Sequence, residues 1–219
     1  MKKLLLLLAL LFPLSVFAQT SFNLPDGSAI QAYLTLPEPG QDPLPLAIVM
    51  GGGPGNGQIA ERTFNSLGAQ FVSHGWAVVT PISPNGQSFW DENAEKVRQL
   101  IGIIKAREEV QNGRVLLAGI SNGGSSSLEI ASLHPEEYLG VVAVPGLAVD
   151  STLRNLRNFP VYLRIGSEDQ LGWANRFDPQ VNAMNRNGVS LNALLMQGEG
   201  HRVNVDWENL EPWLAELGQ

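Results

Sequence analysis

The sequence predicts an α/β fold: a mostly parallel sheet of about eight strands with helices on both faces. Three observations carry this expectation. Short unbroken apolar runs, such as Leu46 to Met50 and Val115 to Ala118, have the composition of strands covered on both sides. Between them lie segments whose apolar residues recur at helical spacing, among them Val97, Leu100, Ile101 and Ile104. The two kinds alternate along most of the chain, as right-handed strand–helix–strand units require.

The first stretch stands apart from this pattern. Met1-Lys2-Lys3 is basic, Leu4 to Phe17 is apolar apart from Ser15, and Val16-Phe17-Ala18 offers small residues where a signal peptidase reads. Residues 1–18 are therefore expected to be a secretory signal peptide, cleaved after Ala18, and residues 19–219 a single domain. The apolar run is shorter than the ~20 residues of a spanning helix. No stable membrane anchor is expected, and the location read from the leader is periplasmic or extracellular, in a bacterium.

The elements follow in order. Phe22 to Ser28 carries a turn signal, and Ala29 to Leu36 suits an edge strand added antiparallel to the main sheet. The proline-rich Pro37 to Pro45 reads as a loop, and Leu46 to Met50 as a buried strand. Phe64, Leu67, Phe71 and Val72 mark a helix closed by His74-Gly75, Ala77 to Val79 a strand, and Val97 to Ile104 a long helix opened near Ser88 or Asp91. Val115 to Ala118 is the next strand, followed by a helix through Leu128, Ile130, Ala131 and Leu133. Val141 to Val144, Val161 to Ile165 and Leu191 to Met196 complete the strands, and Leu210, Trp213, Leu214 and Leu217 share one face of a final helix.

Composition narrows the function. The formal net charge is −7, becoming −9 once Lys2 and Lys3 leave with the leader, and no cluster of Lys or Arg remains. Nucleic acid is not expected as a partner. The chain has no cysteine, which excludes disulfides and thiolate metal sites.

In sheets of this kind ligands bind beyond the carboxyl ends of the strands, so four loops there carry the functional reading. After Val115 to Ala118 comes Gly119-Ile120-Ser121-Asn122-Gly123, a G-x-S-x-G turn between a strand and a helix. Flanking glycines let the chain reverse sharply and expose Ser121 as a nucleophile beside the free N–H groups of the new helix. The glycine-rich Gly51 to Gly57 has neither the lysine of a P-loop nor the G-x-G-x-x-G spacing, but its backbone suits an oxyanion. Pro54 has no N–H, so Gly52 or Gly53 is the donor there, and the N–H of Asn122 is the other. Gly166 to Gln170 offers a carboxylate to orient an imidazole: Asp169 first, with Glu168 and Asp150 as competitors. Gly198-Glu199-Gly200-His201 supplies the general base. Of the three histidines, His74 and His134 both sit at predicted helix ends, where the dipole explains them, which leaves His201.

These four motifs, in the chain order serine, aspartate, histidine, resemble the α/β-hydrolase family, in particular its small esterases and dienelactone-hydrolase-like members. The resemblance covers the chain from about Phe22 to the last helix. It implies an α/β-hydrolase fold without a sizeable cap, a Ser121–His201–Asp169 triad, an oxyanion hole from Gly53 and Asn122, and ping-pong acyl transfer to water with no cofactor and no metal. The loop begins Gly51-Gly52 where such proteins often have His-Gly.

A small soluble carboxylic ester is the expected substrate. Only Pro145 to Pro160 separates two of the late strands, room for a short helix and not for a lid. Trp90 and Trp173, with Gly52, are the candidate substrate-binding residues on loops at the catalytic edge. The alternatives are a serine peptidase of the same fold and a catalytically silent binding protein; a complete nucleophile, acid and base set argues against the second.

Overall fold

The computed structural model describes residues 19–37, 43–202 and 204–218. The predicted signal peptide and the middle of the Pro37 to Pro45 loop lie outside the described residues.

One eight-stranded sheet organises the chain. Its strands are β1 (Gln19–Asn23), β2 (Ala29–Thr35), β3 (Leu46–Met50), β4 (Ala77–Ile82), β5 (Val115–Gly119), β6 (Tyr138–Ala143), β7 (Pro160–Gly166) and β8 (Ser190–Met196), in the spatial order β1-β2-β4-β3-β5-β6-β7-β8. The pairs β1/β2 and β2/β4 are antiparallel and the remaining neighbours parallel. In β3, β4, β5 and β6 every residue is buried, as their largely apolar composition requires, with Thr80 the one buried hydroxyl of β4. Along β8 exposed and half-buried residues alternate, the pattern of an edge.

The edge assignment of Ala29 to Leu36 is corrected. Gln19–Asn23 pairs with it through the turn at Leu24 to Ser28, so β2 is an interior strand and β1 is the edge. The period-two pattern of so short a segment says that one face is buried, not how many neighbours the strand has.

Helices cover both faces. On one lie α3 (Glu92–Lys105), α4 (Asn122–Leu133), the short α5 (Asp150–Arg154) and α6 (Phe177–Arg186), packed on Leu46, Ile48, Met50, Val115 and Leu117. On the other, α7 (Trp207–Glu216) and a long helix over residues 57–73 cover Ala47, Val49, Leu116 and Ala118. That long helix consists of α1 (Gly57–Thr63), a π-helical turn (Phe64–Gly68) and α2 (Ala69–Ser73). The alternation along β3 and β5 sends successive side chains to opposite layers. Burial of each large apolar side chain, Phe71 and Leu116 among them, contributes roughly 1.5–3 kcal/mol.

The helix ends match the sequence reading in part. Asn56 caps α1, its Oδ1 accepting from the N–H of Ile59 at 3.1 Å. His74 follows α2, and Gly75 beyond it has φ +84°, the left-handed turn that ends the helix. Asp91 does precede α3, but its side chain makes no capping bond. Among the described residues no helix is long and apolar enough to cross a membrane.

Candidate active site

The parallel register brings the carboxyl ends of β3, β5 and β6 level, with Met50 beside Gly119 and Gly119 beside Ala143. Gly166 of β7 ends beside Met196 of β8. The loops leaving these ends meet along one rim, and there the sequence-predicted residues converge.

Ser121 stands where β5 turns into α4, with φ 58° and ψ −122°. A non-glycine residue in that conformation costs about 1–3 kcal/mol, which the surroundings must offset. Two backbone bonds brace the turn on either side: the N–H of Ile120 donates to the carbonyl of Met50 at 3.2 Å, and that of Ser121 to Pro145 at 2.8 Å. Gly123 then closes it onto Ile120 at 2.9 Å. A Cβ on Gly123 would lie 2.1 Å from the Met50 carbonyl oxygen, and one on Gly124 would lie 2.2 Å from that of Pro145. Any side chain there would push α4 off the sheet, so glycine is dictated by the approach of backbone to backbone.

His201 approaches from the loop after β8. That loop is laced to the one after β7: Glu168 N–H donates to Glu199 O at 2.9 Å, and Gly198 N–H to Ser167 Oγ at 2.9 Å. His201 N–H also donates to Gln170 Oε1, at 3.3 Å. The Asp169 side chain is fully buried. Its Oδ1 accepts from Leu171 N–H at 2.7 Å, which fixes the carboxylate, and its Oδ2 lies 2.7 Å from His201 Nδ1. His201 Nε2 lies 2.8 Å from Ser121 Oγ. A carboxylate accepts only, so Nδ1 carries the proton and Nε2 presents its lone pair to the serine hydroxyl. Trp173 packs edge-on against His201, ring centroids 5.1 Å apart, limiting how the imidazole turns.

The competing residues stand elsewhere. Glu168 is exposed beside Asp169, and Asp150 faces Asn187 and Arg186 at the start of α5. His74 stacks on Trp207 at 3.8 Å, and His134 lies 3.7 Å from Glu136. Neither reaches Ser121.

The glycine-rich loop passes directly over the turn. A Cβ on Gly52 would be 3.0 Å from that of Ser121, while Gly53 has φ +53° and its carbonyl accepts from Asn122 Nδ2 at 3.1 Å. Among the described residues, the N–H groups of Gly53 and Asn122 have no backbone acceptor outside α4. Residues 83–91 support this loop from behind. Ser83 N–H donates to Gly55 O at 2.8 Å, Ser88 N–H donates to Pro54 O at 3.2 Å, and the Phe89 ring fills the space beside Gly55. Asn93, almost fully buried, shapes residues 83–91 in turn, its Nδ2 donating to Asn85 Oδ1 and Ser88 O at 2.8 Å each.

A cavity of about 230 Å³ opens beside Ser121 and His201, with Gly52 and Gly53 in its wall. Its other walls include Ile59, Arg62 and Thr63 of α1, with Leu171 and Arg202. Trp90 and Trp173 are not among the lining residues; Trp173 meets the site through its contact with His201, and residues 83–91 are drawn down onto the back of the glycine-rich loop. The contribution of α1 escaped sequence reading because a helical pattern shows which face is apolar and not what its ends overhang. A larger cavity of about 660 Å³ lies at the opposite, amino end of the strands, between α3 and the start of β5, far from these groups.

No protein-family model matches the sequence, and no curated protein sequence matches it. Solved structures do. Est1E from Butyrivibrio proteoclasticus superposes with a TM-score of 0.72 at 15% identity, over 92% of this chain and 99% of that one. Thermogutta terrifontis esterase 2, phosphorylated by paraoxon, gives 0.71 at 13% identity, over 92% and 94%. A thermostable esterase gives 0.67 at 15% identity over 93% of this chain, which spans only 60% of that protein's length. Likeness at such low identity is a likeness of fold, and the strand order, the turn at Ser121 and the placing of His201 after the last strand agree with it: the chain has the α/β-hydrolase fold.

Proposed function

We propose that this protein is a serine hydrolase that cleaves small carboxylic esters through an acyl-enzyme on Ser121. The observation that carries this reading is the unbroken hydrogen-bonded line from Ser121 Oγ through both nitrogens of His201 to the buried carboxylate of Asp169. Three groups 80 and 32 residues apart along the chain meet at hydrogen-bond distance, one of them on a strained turn, and packing alone gives no reason for that.

In the proposed reaction Ser121 Oγ attacks the ester carbonyl while His201 Nε2 takes its proton, and Asp169 stabilises the resulting imidazolium. The N–H groups of Gly53 and Asn122 hold the developing oxyanion; removing one such donor typically costs ~10²–10³ in rate. His201 then protonates the departing alkoxide. Water, activated by the same imidazole, releases the acid and regenerates the serine. No step calls for a metal or cofactor. Paraoxon, which phosphorylates one of the structural neighbours, is a reagent of the kind such a serine would meet.

A cavity of 230 Å³ at the serine, bordered by Leu171 and Ile59, favours a small ester. Export by the leader over residues 1–18 belongs to the same reading; the mass of protein recovered outside the cytoplasm would fall at a chain starting from Gln19. The direct test is a fluorophosphonate probe on the purified protein, with the adduct located by mass. Labelling at Ser121 that disappears in Ser121→Ala supports the hydrolase, and absence of labelling supports a silent binding protein. A panel of 4-nitrophenyl esters beside 4-nitroanilides then separates esterase from peptidase.

A further inference from the structure

The two edges of the sheet are built differently. β1 is five residues long and exposed along almost all of its length, whereas β8 runs for seven, Ser190-Leu191-Asn192-Ala193-Leu194-Leu195-Met196. This second edge contains no charged residue and no proline, and its register against β7 is unbroken from Pro160 beside Ser190 to Gly166 beside Met196. Proteins blunt a free edge with charges, prolines or bulges, because its unpaired backbone groups are a template for another strand. None of these devices is present on β8, in a chain with 21 acidic and 14 basic residues.

The ladder fixes which backbone groups are free. Ser190 N–H donates to Phe159 O at 3.1 Å, and Met196 O accepts from Ser167 N–H at 2.9 Å, so the even-numbered residues of β8 turn their backbone toward β7. The N–H and C=O groups of Leu191, Ala193 and Leu195 therefore point outward. Among the described residues no strand lies beyond β8, and Leu195 O meets only the exposed Gln197 amide at 3.5 Å. The side chains divide the other way. Leu191, Ala193 and Leu195 pack into the layer that holds Met184 of α6, while Leu194 on the opposite face is 46% exposed.

We infer that β8 is the dimer interface of this protein, pairing antiparallel with β8 of a second copy about a two-fold axis at Ala193. The inference stands independently of the hydrolase reading. In that register Leu191 lies opposite Leu195 of the second copy and Ala193 opposite its own copy, so every outward donor and acceptor finds a partner. Asn192 lies opposite Leu194 of the second copy, and the two Leu194 side chains meet diagonally across the axis, out of water. Each copy's edge is used up by the other, so assembly closes at two. Charge complementarity continues past the strand ends, because the pairing sets the chain before β8 against the chain after it. Exposed Arg157 stands beside Gly188, its Nη1 3.5 Å from where a Cβ would lie, and among the described residues it forms no ion pair. It comes alongside Glu199 of the second copy, a carboxylate otherwise engaged by Asn204 at 3.1 Å.

Sedimentation velocity on the purified protein from about 1 to 200 µM should show a monomer–dimer equilibrium, with Kd on the order of micromolar for so small an interface. Leu194→Lys sets two ammonium groups across the axis and leaves the α6 face untouched; it should weaken the dimer ~10-fold or more with the fold kept by circular dichroism. Arg157→Glu should weaken it ~3–10-fold, as a charge at the rim of an interface does. Disulfides read the register, since the chain has no cysteine of its own. Asn192→Cys mixed with Leu194→Cys should cross-link on oxidation, with Cα atoms ~4.5 Å apart in a pair that exchanges no hydrogen bond. Neither should cross-link well alone, across a diagonal of ~7–8 Å. A monomer at the highest concentration overturns the inference, whether or not β8 accepts some other extended peptide. So does a dimer that neither substitution weakens, or one in which the mixed cysteines fail to join.

Discussion

Two helices of this protein begin in the same unusual way. Ser121 ahead of α4 has φ 58° and ψ −122°, and Asp91 ahead of α3 has φ 48° and ψ −121°. In each, the N–H two residues on returns to the carbonyl just before the strained residue: Gly123 to Ile120, and Asn93 to Trp90, both at 2.9 Å. Yet only the first is visible in the sequence. At Ser121 the turn drives α4 across the end of β3, and glycines follow because main chain meets main chain. At Asp91 the turn lies at the exposed surface, and the residue matching Gly123 is Asn93, whose side chain holds the preceding loop. The same strain is thus maintained by close backbone approach in one case and by a buried amide in the other. Glycine spacing is a signature of the first mechanism, not of the conformation.

That contrast can be broken at four points. The largest effect is expected from Ser121→Ala, which should lower ester hydrolysis at least ~10³-fold with the fold intact by circular dichroism, while Asp91→Ala should change it less than about twofold; comparable losses in the two would mean that the elbow has no special chemistry. Next comes Gly123→Ala. Its Cβ would meet the Met50 carbonyl, so destabilisation of ~3 kcal/mol or more is expected in urea unfolding, or failure to accumulate folded protein. Asn93→Ala should cost less, about 2 kcal/mol, since it leaves the buried Ser88 carbonyl without its donor and frees Asn85 from α3. Because residues 83–91 brace the glycine-rich loop, the same variant should also lower kcat more than it raises KM. The smallest effect is Asp91→Gly, a gain on the order of 1 kcal/mol as the strain is relieved, partly offset by the backbone entropy of glycine. If it destabilises, the strain at Asp91 is not what the backbone angles imply.

The pattern of legibility follows from these mechanisms. The strands were readable where they are buried on both faces, as at Leu46–Met50 and Val115–Gly119, because only apolar residues survive there. The interior place of β2 was not, because its second neighbour is β1, a largely exposed segment with no apolar run to mark it as a strand. Ser121 and His201 were legible from spacing and from the scarcity of histidine. Asp169, Glu168 and Asp150 could be ranked but not separated, since only Asp169 is buried in the folded chain and fastened at 2.7 Å to both Leu171 N–H and His201. Ile59, Arg62 and Arg202 carried no signal at all.

What the sequence determined alone was most of the elements, though not β1 or α6, their order, and the one turn whose geometry demands small residues at fixed positions. Those are local facts, written by period, composition and steric exclusion. What the tertiary structure decided was which distant side chains share a rim. A hydrogen bond across 80 residues depends on strand order and register, quantities set by the whole core together, so the meeting of His201 with Ser121 beside one cavity exists only in the folded chain.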